Sequence, residues 1–276
     1  MNAIEIQNLT KTYPGFTLDK LNLTLPSGCI LGLIGENGAG KSTTIKLILD
    51  MLQPDSGSVT VLGSETTDME DIGVVMEESG FPECLNTAQI SKIMADIYRR
   101  WDARKFTHLL EKLGVPGKKK YKDFSKGMKM KLAIAVALSH DPKLLILDEA
   151  TSGLDPVVRD QVLDIFTDFT RDEGHSILIS SHIVSDLEKV CDYIAFLHKG
   201  KLMLFEEKDA LYEQFGTMLC SKEDFASIDP AAVKGKRESR YGVEAIVDRS
   251  LIPAGMAVSP VGIEELFVFM AKEEVK

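Results

Sequence analysis

Cysteine is scarce in this chain. The four cysteines are widely scattered, at Cys29, Cys84, Cys191 and Cys220. No two of them form a CxxC pair and their spacing does not match a zinc site, so we expect neither a disulfide framework nor a structural metal. Isolated cysteines of this kind are typical of a cytosolic protein, in which they remain reduced thiols.

Long apolar runs and an excess of positive charge are also missing. No stretch of about 18 apolar residues occurs, and the opening MNAIEIQNLTKTY lacks the segments of a signal peptide. The formal net charge is -10. We therefore expect no membrane-spanning segment, and no whole-chain attraction to nucleic acid or to an anionic membrane surface.

The order of the apolar patterns predicts the fold class. With 276 residues, 44% of them hydrophobic, the chain can bury one large core. Apolar runs at 29–34, 144–147 and 176–180 predict buried strands, while 42–52 and a segment starting near Pro156 predict helices. Strands that alternate with helices predict an α/β core with a mostly parallel sheet.

Changes in this pattern suggest the domain organisation. Residues 1–86 and 142–216 are interpreted as the α/β core, and the helical periods of 87–141 indicate an inserted helical subdomain. The pattern weakens further along the chain. Residues 217–276 are therefore interpreted as a small C-terminal accessory domain.

Residues 35–43, GENGAGKST, fit the phosphate-binding loop pattern. The segment follows a predicted buried strand and opens a predicted helix, which disfavours the alternative of a glycine-rich turn without a ligand. Glycines let backbone N–H groups approach phosphates, Lys41 reaches the β- and γ-phosphates, and Ser42 holds Mg²⁺. The predicted nucleotide-binding residues of this loop are Gly35, Asn37, Gly38, Ala39, Gly40, Lys41, Ser42 and Thr43.

A second motif, LLILDEAT, places two carboxylates at the end of a predicted buried strand. Buried carboxylates are unfavourable unless they serve a metal or a polar network. Asp148 suits a contact to Mg²⁺, and Glu149 suits a general base that polarises the attacking water. Alone the motif is weak, since many strands end in acidic turns, but it follows a phosphate loop.

Three further segments, SKGMK, SGLDP and SSH, stand around these motifs in a characteristic order. Over residues 4–216 the chain thereby resembles the nucleotide-binding subunits of ATP-binding cassette (ABC) transporters. The resemblance implies a P-loop NTPase (RecA-like) core, and ATP and Mg²⁺ as cofactors. It also implies a homodimer in which each ATP lies between the phosphate loop of one copy and the signature segment of the other. A separate transmembrane permease subunit would hold the dimer at the cytoplasmic face of the membrane as a peripheral protein.

The resemblance assigns roles position by position. Tyr13 would stack on adenine, and Ser125 with Gly127 would face the γ-phosphate bound by the partner copy. Asp155 would lie in a turn that contacts the dimer partner, and His182 would hold the γ-phosphate and the attacking water. Taken singly, Tyr13 could be an ordinary edge aromatic and Asp155 a helix cap.

Two segments depart from the family pattern. The usual signature LSGGQ is FSKGM here, where Lys126 replaces a glycine and Met128 replaces a glutamine. Glu77 stands where glutamine is common, and an unpaired carboxylate at about 4 Å from a triphosphate would cost about 4 kcal/mol at an effective dielectric of 20. We therefore predict Mg²⁺ as its partner, which makes Glu77 a third metal ligand beside Ser42 and Asp148.

Lysines are concentrated before and within the signature segment. They are Lys118, Lys119, Lys120, Lys122, Lys126, Lys129 and Lys131. A solvated helical face is one interpretation. Attraction to the partner's triphosphate or to anionic lipid headgroups is the other.

With an acidic residue at position 77, the chain resembles the ATPase subunits of exporters of amphipathic or antimicrobial peptides and of antibiotics. We therefore expect the ATPase subunit of such an exporter, docking on its membrane subunits through a groove around residues 78–93, with no nucleic acid as partner. The alternative is a soluble cassette ATPase, such as a cluster-assembly scaffold. Copurification with a membrane protein would separate the two. A GTP switch is disfavoured because no NKxD segment occurs.

Overall fold

The computed structural model describes residues 1–65, 68–77, 80–240, 242–253 and 255–273. The chain separates into two compact units, Met1–Leu202 and Met203–Lys276. The strands in and at the end of the first unit are β1 (Asn2–Tyr13), β2 (Phe16–Pro26), β3 (Ile30–Ile34), β4 (Ser56–Val61), β5 (Ile72–Val75), β6 (Leu144–Asp148), β7 (Ser176–Ser181), β8 (Tyr193–His198) and β9 (Lys201–Glu207), which crosses the division. Its helices are α1 (Lys41–Ile48), α2 (Thr87–Ile97), α3 (Ala103–Lys112), α4 (Lys126–Leu138), α5 (Pro156–Phe169) and α6 (Val184–Val190).

A parallel sheet forms the centre of the first unit, with the order β5-β6-β7-β3-β8. Every residue of β3, β6 and β7 is buried, which explains their continuous apolar runs. A second, antiparallel sheet has the order β2-β1-β4. The predicted α/β fold with a mostly parallel central sheet is confirmed.

The parallel sheet brings the predicted chemistry together. The phosphate loop follows β3, Glu77 follows β5, Glu149 follows β6 and His182 follows β7. These are four neighbouring strands that run in the same direction. The segments that follow them therefore emerge at one edge, where α/β proteins bind their ligands.

Helices α2, α3 and α4 occupy the predicted helical stretch and belong to the same compact unit as the sheet. Asn86 and Gln89 form a capping box at the start of α2, and Asp102 caps α3. Helix α4 packs against α3 and against β5. The signature segment is thereby anchored beside the strand that leads to Glu77.

The second unit has its own sheet and core. Its elements are α7 (Lys208–Gln214), β10 (Phe215–Cys220), α8 (Lys222–Ala226), β11 (Val233–Ser239), β12 (Gly242–Asp248), β13 (Ser259–Pro260) and α9 (Ile263–Glu273). The strands pair in the order β11-β12-β10-β13, and the buried core includes Met218, Ala245 and Val247. The predicted boundary after residue 216 is wrong, because it cuts β10, whose residues Phe215 and Gly216 pair with β12.

Candidate functional site

The phosphate loop is shaped by two glycines with different constraints. A Cβ at Gly35 would lie 2.6 Å from the carbonyl oxygen of Leu197, so only glycine fits the space. Gly40 has φ 111°, in the left-handed region, and stands immediately before α1. No side chain caps α1. Its N-terminus therefore has the form that binds phosphate groups through backbone N–H groups.

A cavity of about 390 Å³ opens at this loop. It is lined by Phe16, Glu36, Asn37, Gly38, Gly40, Lys41, Ser42, Thr43, Glu77 and Glu149. The structure therefore brings most of the predicted loop together with two of the predicted carboxylates. Among the described residues, the lining holds three carboxylates and one lysine, so its formal charge is negative although the loop is of the kind that binds phosphate.

Lys41 is buried at the base of the loop, with 6% of its surface exposed. Its Nζ donates a hydrogen bond of 2.7 Å to the carbonyl oxygen of Gly35 and lies 3.5 Å from Oε1 of Glu149. A lysine ammonium has three donors and no acceptor, so these contacts fix its position while leaving it a local positive charge in the cavity.

Glu149 is held on both carboxylate oxygens. Its Oε2 lies 2.6 Å from Nδ1 of His182, and Oε1 faces Lys41. The backbone of Glu149 has φ 54°, a left-handed conformation that costs about 1–2 kcal/mol for a residue with a side chain. Its backbone N–H donates to the carbonyl oxygen of Ser180 at 3.1 Å, which holds this conformation in place. Strain of this kind concentrates at active sites.

His182 is partly exposed, with 53% of its side chain accessible. When Nδ1–H donates to Glu149, Nε2 of the neutral ring is an acceptor. The ring is therefore oriented by a buried carboxylate, as is common for histidines that act in catalysis or in ligand binding.

Asp148 lies one residue before Glu149 and is 3% exposed. Its Oδ1 accepts a hydrogen bond of 2.5 Å from Oγ of Ser180. Asp148 is absent from the described lining of the cavity. In the part of the chain that the structure describes, no group of three or more His, Cys, Asp or Glu side chains could hold a metal ion. Mg²⁺ commonly takes one or two protein oxygens together with substrate phosphates and water, and Ser42 and Asp148 fit that chemistry.

Glu77 has a partner within the protein. Its Oε1 lies 3.2 Å from Nζ of Lys126, with side-chain exposures of 50% and 59%. The sequence pointed to Mg²⁺ as the most economical partner of this carboxylate, and Lys126 is a second cation within reach of it. Metal binding by Glu77 remains a prediction. The ion pair joins two of the residues that depart from the family pattern, Glu77 and Lys126.

The remaining predicted residues lie at helix starts. The Ser125 side chain caps α4, and the Asp155 side chain caps α5 by accepting from the backbone N–H of Val158 at 3.1 Å. A Cβ at Gly127 would lie 3.3 Å from the carbonyl oxygen of Gly153. Ser125, Gly127 and Asp155 are not part of the described cavity lining. The helix-cap interpretation of Asp155 is confirmed, and the roles of these residues toward a second copy remain predictions.

Phe16, rather than Tyr13, is the aromatic residue that lines the cavity. The two face each other across the β1–β2 hairpin, and Tyr13 is 37% exposed. The segment YPGF could have identified Phe16, because a tight turn between two strands places Tyr13 and Phe16 opposite each other as a cross-strand pair. Glu36 and Ser180 were also missed. Glu36 could have been suspected from its place inside the loop motif.

A phosphate loop that opens a helix and a strained carboxylate between a lysine and a histidine define a class of protein. That class is the P-loop hydrolases of nucleoside triphosphates.

The described helices include none with the length and apolar content needed to cross a membrane.

Comparisons with known proteins identify the family within this class. The family model described as ABC transporter matches residues 18–152. The lantibiotic transport ATP-binding protein SrtF of Streptococcus pyogenes is 39% identical over 211 residues, 75% of this chain and 91% of the relative. The bacitracin transport ATP-binding protein BcrA of Enterococcus faecalis is 36% identical over 209 residues, 73% of this chain and 68% of the relative.

Solved structures agree with these relatives. A structure described as the ATP binding subunit of an ABC transporter superposes with a TM-score of 0.67 at 28% identity, covering 76% of this chain and 91% of the other. The chain therefore belongs to the ATP-binding subunits of ABC transporters, and it is an ATPase. The alternative of a soluble cassette ATPase is not favoured, because the matched relatives are transport proteins.

Proposed function

We propose that this protein hydrolyses ATP to power an exporter of antimicrobial or amphipathic peptides or of antibiotics. The observation that carries the substrate class is the 39% identity to SrtF, which is named for lantibiotic transport. The similarity to BcrA, named for bacitracin transport, supports the same class.

The phosphate loop and the N-terminus of α1 receive the triphosphate in this proposal. Lys41 contacts the β- and γ-phosphates, and backbone N–H groups from Gly38 to Thr43 surround them. Tyr13 remains the family-based candidate for stacking on adenine. Phe16 is the aromatic residue that already lines the cavity.

Glu149 is the proposed general base. Its carboxylate accepts a hydrogen bond from the attacking water and takes the proton as the water oxygen bonds to the γ-phosphorus. The bond from the γ-phosphorus to the β–γ bridging oxygen breaks in the same step, which leaves ADP and inorganic phosphate. His182 contacts Glu149 through Nδ1 at 2.6 Å, and when Nε2 also carries a proton it can donate to the γ-phosphate. Ser42 and Asp148 would hold Mg²⁺, which neutralises charge on the phosphates.

Two copies of the chain are proposed to act together on a separate transmembrane permease subunit. Ser125, Gly127 and Asp155 would face the nucleotide and the loops of the second copy. The proposed permease-docking groove covers residues 78–93, of which 78 and 79 lie outside the described residues. These contacts would place the protein at the cytoplasmic face of the membrane, and no nucleic acid is involved.

Copurification tests the transporter assignment. A tagged copy carrying Glu149→Gln, expressed in its native cell, should retain a polytopic membrane protein after detergent extraction. Recovery of the protein alone from the soluble fraction would contradict the proposal.

The purified complex then tests the substrate. A lantibiotic and bacitracin should be compared as stimulators of ATP hydrolysis, with a peptide of matched charge and no membrane activity as control. Stimulation by at least one of the two antibiotics is expected. Stimulation by neither would contradict the peptide or antibiotic class.

A further inference from the structure

Each acidic residue of the described cavity lining lies near a lysine or histidine side chain. Glu149 faces Lys41 and His182. Glu36 lies 3.9 Å from Nδ1 of His198. For Glu77 the basic neighbour is Lys126, which does not belong to the lining itself.

Lys126 is placed by elements outside the phosphate loop. It is the first residue of α4, whose start is capped by Ser125. Its aliphatic stem lies beside Gly153, where an added Cβ would be 3.5 Å from Cδ of Lys126. Gly153 follows Glu149 in the loop before α5. The segments that carry Glu77, Glu149 and the signature helix therefore converge at this one side chain.

A triphosphate in the cavity would meet the negative charge of Glu77. Without a nearby cation, repulsion between this carboxylate and the γ-phosphate would oppose binding. A lysine ammonium is a compact charge on a flexible stem, so it can move between the carboxylate and a phosphate oxygen. Both side chains are about half exposed, so solvent screens the interaction and its effect is modest.

We propose that Lys126 neutralises Glu77 for the nucleotide bound in the same copy, and so adjusts nucleotide affinity. Lys126 is a positioning residue in this proposal and takes no part in the chemical step. Of the seven lysines in the basic stretch, Lys126 forms the ion pair with the described lining. The proposal rests on the assignment of the cavity to ATP.

A double-mutant cycle tests the proposal through binding alone. Dissociation constants of ATP, ADP and adenosine should be measured by calorimetry in EDTA for the parent, Lys126→Met, Glu77→Gln and the double variant. Lys126→Met should weaken ATP binding about two- to fivefold, as expected for an exposed charge pair. ADP should be affected less, and adenosine should be unaffected. The double variant should return ATP affinity to within about twofold of the parent.

Matched variants separate charge from structure. Lys131→Met removes one positive charge from the same helix outside the cavity lining and should leave ATP affinity unchanged. Lys126→Arg should behave as the parent, and added salt should shrink the difference between the parent and Lys126→Met. If Lys126→Met does not fold, Lys126→Gln takes its place in the cycle.

Two results would overturn the proposal. Equal weakening of ATP and adenosine by Lys126→Met would assign a purely structural role to the side chain. Unchanged ATP affinity in Lys126→Met would show that the ion pair does not act on the nucleotide. Absence of ATP binding by the parent protein would instead contradict the assignment of the cavity.

Discussion

Two carboxylates line the same cavity in different environments. The Glu149 side chain is 10% exposed and touches a lysine and a histidine, whereas the Glu77 side chain is 50% exposed and pairs with a lysine that is 59% exposed. Burial fixes the first group in one orientation and strengthens its charge interactions, while water weakens those of the second. A residue that must position a reacting water benefits from the first environment. A residue that adjusts affinity needs only the second.

The largest effect is expected at the buried carboxylate. Glu149→Gln keeps the shape of the side chain but removes the proton acceptor, so ATP turnover should fall about 100- to 10,000-fold while ATP binding is retained. Phosphate release and nucleotide titration on the same preparation measure the two quantities. Gel filtration should show an ATP-bound dimer. Near-parent hydrolysis from a monomeric protein would reject the assignment.

Breaking the partners of Glu149 one at a time separates binding from chemistry. Lys41→Ala removes a charge-assisted contact to phosphate and should abolish both ATP binding and measurable hydrolysis. His182→Ala should retain nucleotide affinity and lose about 100-fold in turnover, because it frees one oxygen of the base from its orienting contact. Equal loss of nucleotide binding in both variants would mean that His182 is a structural residue.

The exposed carboxylate should respond only slightly. The predicted metal contact of Glu77 and its ion pair with Lys126 give different expectations for Glu77→Gln. If Lys126 is the main partner of Glu77, the variant should hydrolyse ATP with a Mg²⁺ dependence within about twofold of the parent, because only an exposed ion pair is lost. A titration of Mg²⁺ at fixed ATP measures this. A shift to clearly higher Mg²⁺ would instead support Glu77 as a metal ligand.

His198 extends the comparison to stability, because its side chain is buried as that of Glu149 is but lacks hydrogen bonds within the described residues. It is 3% exposed, and neither ring nitrogen has a hydrogen-bond partner among the described residues. His198→Leu should raise the free energy of unfolding by about 1 kcal/mol, since burial of an unsatisfied polar group is removed. Urea unfolding at pH 8 measures the change, with the exposed His108→Leu as control. A lower midpoint for His198→Leu would show that the ring is satisfied through contacts with water.

Local motifs were predictable from the sequence because their geometry is local. The phosphate loop and Glu149 stand directly after buried strands, and Asp148 is the last residue of one. Strand ends are marked by where apolar runs stop. The contact between Glu77 and Lys126 was not predicted. It joins residues 49 positions apart on exposed segments, where neither periodicity nor hydrophobicity carries information.

The second unit shows the same limit. The sequence pattern is weak over residues 217–276, yet β11 and β12 lie there. β11 is buried at Gly235 and largely exposed over its last residues, so no apolar alternation marks it as a strand. The boundary was misplaced for a related reason, because β10 belongs to a sheet that is completed only by residues further along the chain.

The different roles of the two carboxylates are tested most directly by measuring ATP affinity and single-turnover hydrolysis together in Glu149→Gln and Lys126→Met. We expect each variant to change one of the two quantities and to leave the other unchanged. Glu149→Gln should lose at least about 100-fold in the rate of the chemical step with ATP affinity retained. Lys126→Met should lose about two- to fivefold in ATP affinity with the single-turnover rate at saturating ATP unchanged. A fall in the single-turnover rate of Lys126→Met comparable to that of Glu149→Gln would contradict this separation of roles.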